Sequence, residues 1–256
     1  MGIEYDGSAY NGWQRQKTGD GVQAHVEAAV AKVANEACDV ICAGRTDTGV
    51  HASGQVVHFD TQAERTDRSW LLGVNSELPA DISTNWARPV DEEFHARFSA
   101  VARRYRYRIL NRLARSALHR NRAWWLHQPL DAARMHEAAQ SLVGEHDFSA
   151  FRAAGCQART PIRELTDIAV HRNDEWVWID VRANAFLQHM VRNITGTLVA
   201  VGQGEQPVGW VSEVLASRNR TDGGVAAPPQ GLTLVAVEYP PDFGIPEPLE
   251  SDKMRA

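Results

Sequence analysis

The chain has 256 residues, 43% hydrophobic and 23% charged, with a formal net charge of −5 at pH 7. The length fits one large domain or two small ones, and the apolar content suffices for a core, which excludes disorder as the dominant state. The longest nearly apolar stretch, 194–202, covers half of the roughly 20 residues that a membrane-spanning helix needs. The first residues carry neither the basic nor the apolar segment of a secretory signal, and Asp6 stands where myristoylation wants Ser or Thr. The three cysteines, Cys38, Cys42 and Cys156, are an odd count for a disulfide framework. They read as small core residues of a reduced, cytoplasmic protein.

In chain order, Gly2 to Tyr5 is strand-like but short, as if clipped. A loop rich in Gly, Asn and Asp follows over 6–21 and carries Trp13-Gln14-Arg15-Gln16. Val22, Val26, Ala29, Val30 and Val33 recur at helical spacing, which predicts an amphipathic helix over 22–36. A strand over 38–43, a tight loop over 44–49 and a strand over 55–60 come next. A helix over 67–75 and a strand over 82–88 complete a β-α-β-β-α-β order. Alternation around Val101, Arg103, Tyr105, Tyr107 and Ile109 predicts a long strand over 99–110 with one strongly basic face. A helix over 131–142 starts at Asp131 as N-cap. Strands over 163–171 and 175–183 are joined by an Arg172-Asn173-Asp174 turn. Leu187, Met190, Val191, Ile194, Leu198 and Val201 predict a helix over 186–201, and a further helix starts at Pro207. The last strand is 232–239. The pattern is α+β, sheet layers covered by helices. The expected division is an N-terminal half over 1–96, a C-terminal half over 97–243 and a frayed tail over 244–256.

Charge is segregated along the chain. Residues 96–122 hold nine arginines and no acid, whereas 60–95 hold eight acids against three arginines. A basic block on an acidic chain is the footprint of a polyanionic partner. Arginine outnumbers lysine 24 to 3, which suits planar, bidentate phosphate recognition, although a compositional bias alone would also raise the overall ratio. Within the block, Arg103-Arg104-Tyr105-Arg106-Tyr107-Arg108 alternates cations with aromatics. A strand of that kind can grip phosphates and stack a base; it can also be a core strand with one solvated face.

The segment Gly44-Arg45-Thr46-Asp47-Thr48-Gly49-Val50-His51 is the most informative. Two glycines frame a turn between strands, which holds a side chain rigidly yet reachably. Asp47 is the only carboxylate between Ile41 and Phe59, and Arg45 beside it favours the ionised form. Such a carboxylate can be a nucleophile or base, or merely fix the turn. No Gly-Lys-Ser/Thr and no Gly-x-Gly-x-x-Gly follows a strand, so neither a phosphate loop nor a dinucleotide cofactor is expected. His51, His58 and His95 lack metal-ligand spacing and read as polar or RNA-facing histidines.

Taken together, these motifs resemble the tRNA pseudouridine synthase A family over Gly2 to Tyr239. The resemblance is carried by Gly2-Ile-Glu-Tyr-Asp-Gly7, Gly12-Trp-Gln-Arg-Gln16, the 44–51 segment running on to Gly54-Gln-Val-Val-His-Phe59, and Phe94-His-Ala-Arg-Phe-Ser99. It continues in Arg103-Arg-Tyr-Arg-Tyr107, Asn184-Ala-Phe-Leu-Gln-His-Met-Val-Arg-Asn193 and Gly231-Leu232. Thr48 stands where that family most often has Ala. The resemblance implies a pseudouridine synthase fold: a mixed central sheet built from two ferredoxin-like halves, helices on its outer face and a catalytic cleft between the halves. It implies isomerisation of uridine to pseudouridine at positions 38, 39 and 40 of the tRNA anticodon stem-loop. Asp47 would be the nucleophile, Tyr105 would stack on the uracil, and Arg192 would pair with the aspartate. Leu232 would pack on the flipped base and Arg45 would contact the RNA backbone. Arg103 and Arg106 are expected to bind phosphates of the tRNA. A homodimer in which each tRNA touches both subunits is implied, with no cofactor, no metal and no membrane. Two rivals share parts of this pattern. A non-catalytic tRNA-binding protein or chaperone on the same fold would not need Asp47, and a metal-dependent hydrolase would use Asp47 with His51 and His58.

Overall fold

The structure is a computed structural model that describes residues 1–16 and 18–246. The architecture is α+β and divides into two compact units. The first comprises Met1–Ala102 and the C-terminal segment from Leu234; the second is Arg103–Thr233. Of the tail expected to fray, 247–256 lies outside the described residues.

In the first unit, β1 (Gly2–Tyr5), α1 (Val22–Ala34), β2 (Ile41–Cys42), β3 (His51–His58), α2 (Asp67–Glu77) and β4 (Ile82–Trp86) follow the predicted order. β1 lies between β4 and β3, antiparallel to both, and β2 continues beside the far end of β3. The apolar stripe of α1, Val22, Val26, Ala29 and Val30, is buried. The helix stops at Ala34 because Asn35 turns left-handed (φ 60°) and its amide closes onto the Ala31 carbonyl. The 38–43 strand shrinks to two residues for a specific reason. Side chains of α1 satisfy the Val40 backbone: Gln23 Nε2 donates to its carbonyl at 3.1 Å and Glu27 Oε1 accepts from its amide at 3.3 Å. Thr66 caps α2 by accepting from the Ser69 amide, and Gly73 lets Val33 of α1 approach closely.

The second unit is organised around β5 (Ala102–Asn111), which runs parallel to β6 (Trp124–Leu126) and antiparallel to β9 (Trp176–Ala183). β9 pairs with β8 (Ile162–Asn173), and β8 pairs with β7 (Gly144–Asp147), all antiparallel. Asp131 caps α3 (Ala132–Ala139) as expected, accepting from the Arg134 amide at 3.0 Å. The helix then tightens into a 3-10 turn at Gln140–Leu142. α4 (Met190–Gly202) is buried on nearly every side, and α5 (Trp210–Ser217) follows. β10 (Leu232–Glu238) closes the fold, leaving the second unit after Thr233 and lying beside β3 in the first.

The helix predicted over 186–201 starts four residues late, at Met190. His189 is left-handed (φ 61°) in front of Met190, so 184–189 is a turn although Leu187 keeps helical spacing with the residues that follow. The backbone of α4 is crossed at Gly196, where a Cβ would lie 1.7 Å from the Val225 carbonyl oxygen. Only glycine permits that approach.

Two histidines of the first unit pin the segment that leads into the basic strand. His58 Nδ1 accepts from the Ala96 amide at 3.1 Å, and its ring lies 4.7 Å from that of His95. His95 Nδ1 in turn accepts from the amides of Arg97 and Phe98. Burial, helped by the neighbouring His95, pushes the His58 pKa below its ordinary 6.5. A neutral His58 therefore contributes stability that is present above pH 6.5 and lost as pH falls through its lower folded value. The urea midpoint of the protein should drop between pH 7.5 and pH 5.5, and His58→Gln should flatten that dependence. An unchanged slope in the variant would assign the acid sensitivity to other groups.

Candidate active site

The Asp47 loop, 44–49, is fixed by groups from several parts of the first unit. Thr46 is buried; its hydroxyl lies 2.7 Å from the Tyr5 hydroxyl and its carbonyl accepts from the Trp13 amide at 3.0 Å. Gly12 is left-handed (φ 92°), and a Cβ there would come within 2.6 Å of that same Thr46 oxygen. Gly7 faces the Val50 carbonyl, where a Cβ would sit at 2.0 Å. The loop thus rests backbone against backbone on the 7–13 segment. Gln55 closes its base. This side chain is fully buried, donates to the Gly44 carbonyl at 2.6 Å and accepts from the Gly44 amide at 3.4 Å.

His51 is buried at the other end of the loop. Its Nδ1 accepts from the Gly7 amide at 3.1 Å, and the Asp6 carboxylate lies 3.1 Å from the same nitrogen. Its ring is buried and engaged by the Gly7 amide and the Asp6 carboxylate, not turned outward as an RNA-facing group would be. The described residues contain no group of three or more His, Cys, Asp or Glu that could hold a metal ion. Between these anchors Asp47 is half-buried and Arg45 is exposed. The Asp47 carbonyl accepts from the Val50 amide at 3.1 Å, so backbone atoms close the turn. A reachable carboxylate on a rigid turn suits nucleophilic attack or proton abstraction.

In the second unit the two tyrosines of β5 share a face but differ in surroundings. Tyr107 is fully buried and its hydroxyl donates to the Pro228 carbonyl at 2.6 Å. Burial pushes that hydroxyl's pKa well above 10. The Tyr107 ring also packs on Gly231, where a Cβ would be 2.6 Å from ring carbons, so it supports the segment that delivers Leu232. Tyr105, 8% exposed, meets Phe186 edge-to-face with ring centroids 5.0 Å apart. Phe186 comes from the 184–189 turn, which also brings Arg103 into play.

Arg192, on the first turn of α4, is half-buried. Its Nε donates to the Ala227 carbonyl at 2.7 Å, and its own carbonyl accepts from the Ala227 amide at 3.0 Å. Residues 223–228 are held over α4 by the Gly196 approach and by Thr197 Oγ1, which accepts from the Gly224 amide at 3.1 Å. The strap and the helix therefore fix the guanidinium through main-chain atoms.

Arg103 and Arg106, expected at phosphates, are both engaged inside the unit. Arg103 is buried and its Nη1 donates to the Asn184 carbonyl at 2.8 Å, bracing the turn that carries Phe186. Arg106 sits opposite Asp180 in the β5–β9 register and grips it bidentately, at 2.6 and 3.1 Å. Alternation along β5 predicts the face but says nothing of the acid on the neighbouring strand. Gln55, Tyr5, Phe186 and Asp180 are the supporting residues that sequence reasoning missed as individuals. Only their place inside or beside the recognised motifs could have signalled them.

The chain as a whole is similar to known proteins of one family. The sequence model of the family described as tRNA pseudouridine synthase matches residues 1–99 and 138–240. A Pseudoalteromonas atlantica protein named tRNA pseudouridine synthase A is 55% identical over 247 residues, 96% of this chain and 94% of that one. A Coxiella burnetii protein of the same name is 55% identical over 246 residues, with 96% and 94% covered. An Aeromonas hydrophila protein of that name is 54% identical over 247 residues, with 96% and 92% covered.

Proposed function

The chain belongs to the tRNA pseudouridine synthase family, and we propose that Asp47 is the nucleophile with which it isomerises uridine to pseudouridine at positions 38, 39 and 40 of the anticodon stem-loop. The observation that carries this reading is the loop itself. It holds Asp47 half-buried, while Tyr5, Gly7, Gly12, Trp13 and Gln55 fix the backbone around it.

The reaction breaks the bond from ribose C1′ to uracil N1 and forms one from C1′ to C5. The C5 proton leaves and N1 is protonated, so the product is an isomer with no net redox change. One nucleophilic carboxylate can start this by adding to the base or by attacking or deprotonating the sugar. The target base must leave its stack, at a cost of a few kcal/mol. Stacking on Tyr105 offsets much of that, at about 1–3 kcal/mol per base. By the family resemblance, Leu232 packs on the flipped base, Arg45 contacts the RNA backbone, and Arg192 is the partner of the aspartate. These roles rest on the family resemblance and on the rigid settings of Tyr105 and Arg192. We also propose a cytoplasmic homodimer in which each tRNA touches both subunits. No helix among the described residues is long and apolar enough to cross a membrane.

The test is incubation of the purified protein with unmodified tRNA and mapping of pseudouridine by mass spectrometry. Modification at 38–40 is expected, and it should persist with a chelator present. Binding without modification would favour the non-catalytic tRNA-binding reading. Chelator-sensitive cleavage would favour a hydrolase. Sedimentation at working concentration should give twice the mass of the chain.

A further inference from the structure

Between β5 and β6 the chain makes a loop, 112–123, that lies outside the residues matched by the family's sequence model. It carries Arg112, Arg115, Arg120 and Arg122 and no acid. Its ends are closed together. The Trp125 indole donates to the Arg112 carbonyl at 2.9 Å, and the Arg112 amide donates to the Leu126 carbonyl at 3.2 Å. Asn111 Nδ2 donates to the carbonyls of Leu126 and Gln128. The tip is ordered by its own bonds. Ser116 Oγ accepts from the His119 amide, Arg120 Nη1 donates to the Ala117 carbonyl, and the Arg122 amide donates to the His119 carbonyl. The His119 ring meets Trp176 edge-on at 5.1 Å. This is a compact loop of the kind that holds its shape at the surface.

Arg112 is tied to Glu175 at 3.0 Å. Arg115, Arg120 and Arg122 are all exposed within eight residues. Leu113 and Leu118 are also exposed, 85% and 88%, but single exposed leucines are ordinary on protein surfaces. Three guanidinium groups on an acid-free loop of a net acidic chain are not, and they create a local field for a polyanion.

We propose that the 112–123 loop is a second grip on the tRNA, binding backbone phosphates through Arg115, Arg120 and Arg122. The identity of the ligand rests on the family reading; the contact does not involve the target base. Arg103 and Arg106 are instead bonded to Asn184 and Asp180 within the unit. The loop contributes affinity that is independent of sequence and sensitive to salt.

The experiment measures binding of unmodified full-length tRNA across a salt series, for the wild type and three variants. R115A/R120A/R122A should lower the slope of log affinity against log salt by about 2 to 3, at roughly 0.7–0.9 per phosphate contact. Its affinity at low salt should fall at least about tenfold. R115K/R120K/R122K should retain most of the slope, since the charge is kept. Leu113→Ser/Leu118→Ser should bind like the wild type. An alanine variant with wild-type affinity and slope would overturn the proposal. So would unchanged tRNA binding with a fall in sedimenting mass in the alanine or serine variants, which would assign the loop to contact with a second copy of the chain. Wild-type protein that binds tRNA but forms no pseudouridine would overturn the functional reading and leave the loop's role standing. Wild-type protein that does not bind tRNA would overturn both.

Discussion

Asp47→Asn and Asp47→Ala should abolish pseudouridine formation while leaving tRNA affinity nearly intact. Removing a covalent nucleophile can cost on the order of 10⁶ in rate. The structure makes the comparison clean. The turn is closed by the Asp47 carbonyl and the Val50 amide, and anchored through Thr46, Gly44 and His51. These anchors do not use the carboxylate and should keep the loop in place in both variants, so near-wild-type circular dichroism should accompany the loss of activity. Single-turnover mapping of pseudouridine by mass spectrometry is the measurement. Substantial activity in the purified Asn variant, with deamidation excluded, would remove Asp47 from the role.

Tyr105→Ala should be the next most damaging change. Loss of base stacking, about 1–3 kcal/mol, corresponds to a loss of roughly five- to 150-fold, and the edge-to-face contact with Phe186 disappears too. Tyr105→Phe keeps the ring and should bind tRNA normally. A slower rate in that variant would assign the hydroxyl to removal of the C5 proton. Tyr107 should behave differently because its ring and hydroxyl are structural. Tyr107→Phe removes the hydrogen bond to Pro228 and should cost about 0.5–1.5 kcal/mol of stability, visible in a urea titration, with little change in rate. Full activity in Tyr105→Ala, alongside a folded but inactive Tyr107→Ala, would exchange the two assignments.

Elements long enough to show a period were legible in the sequence. α1, α2, α3, the β8–β9 hairpin and the core of α4 all stand where apolar spacing and caps predict them. β6 and β7, three and four residues long, are too short to carry a period and were not predicted. The start of α4 was misplaced because Leu187 keeps helical spacing across a left-handed His189. For the site, a glycine-framed turn with a single carboxylate pointed to Asp47, but spacing alone could not separate a nucleophile from a turn residue. The groups that settle the rigidity of that turn, Tyr5, Gly12 and Gln55, come from other segments of the chain. Non-local register hid the fate of Arg106 as well, since its partner Asp180 lies 74 positions away on β9.

The strap over α4 has a consequence for how the protein tolerates change. Arg192 is located by main-chain atoms of 223–228, and that segment is located by Gly196 and Gly224, where added Cβ atoms would come within 1.7 and 2.7 Å of opposing carbonyl oxygens. Val225, between them and the anchor at Ala227, points its side chain outward and is 87% exposed. A saturating survey of substitutions should therefore give a sparse map in this region. Position 225 should accept almost any residue, polar or apolar, while 196 and 224 accept none but glycine, although neither glycine has a side chain to offer the reaction. The vulnerability of this arginine is thus displaced to one glycine of the helix and one of the strap, sites where a survey guided by chemical reactivity would not look.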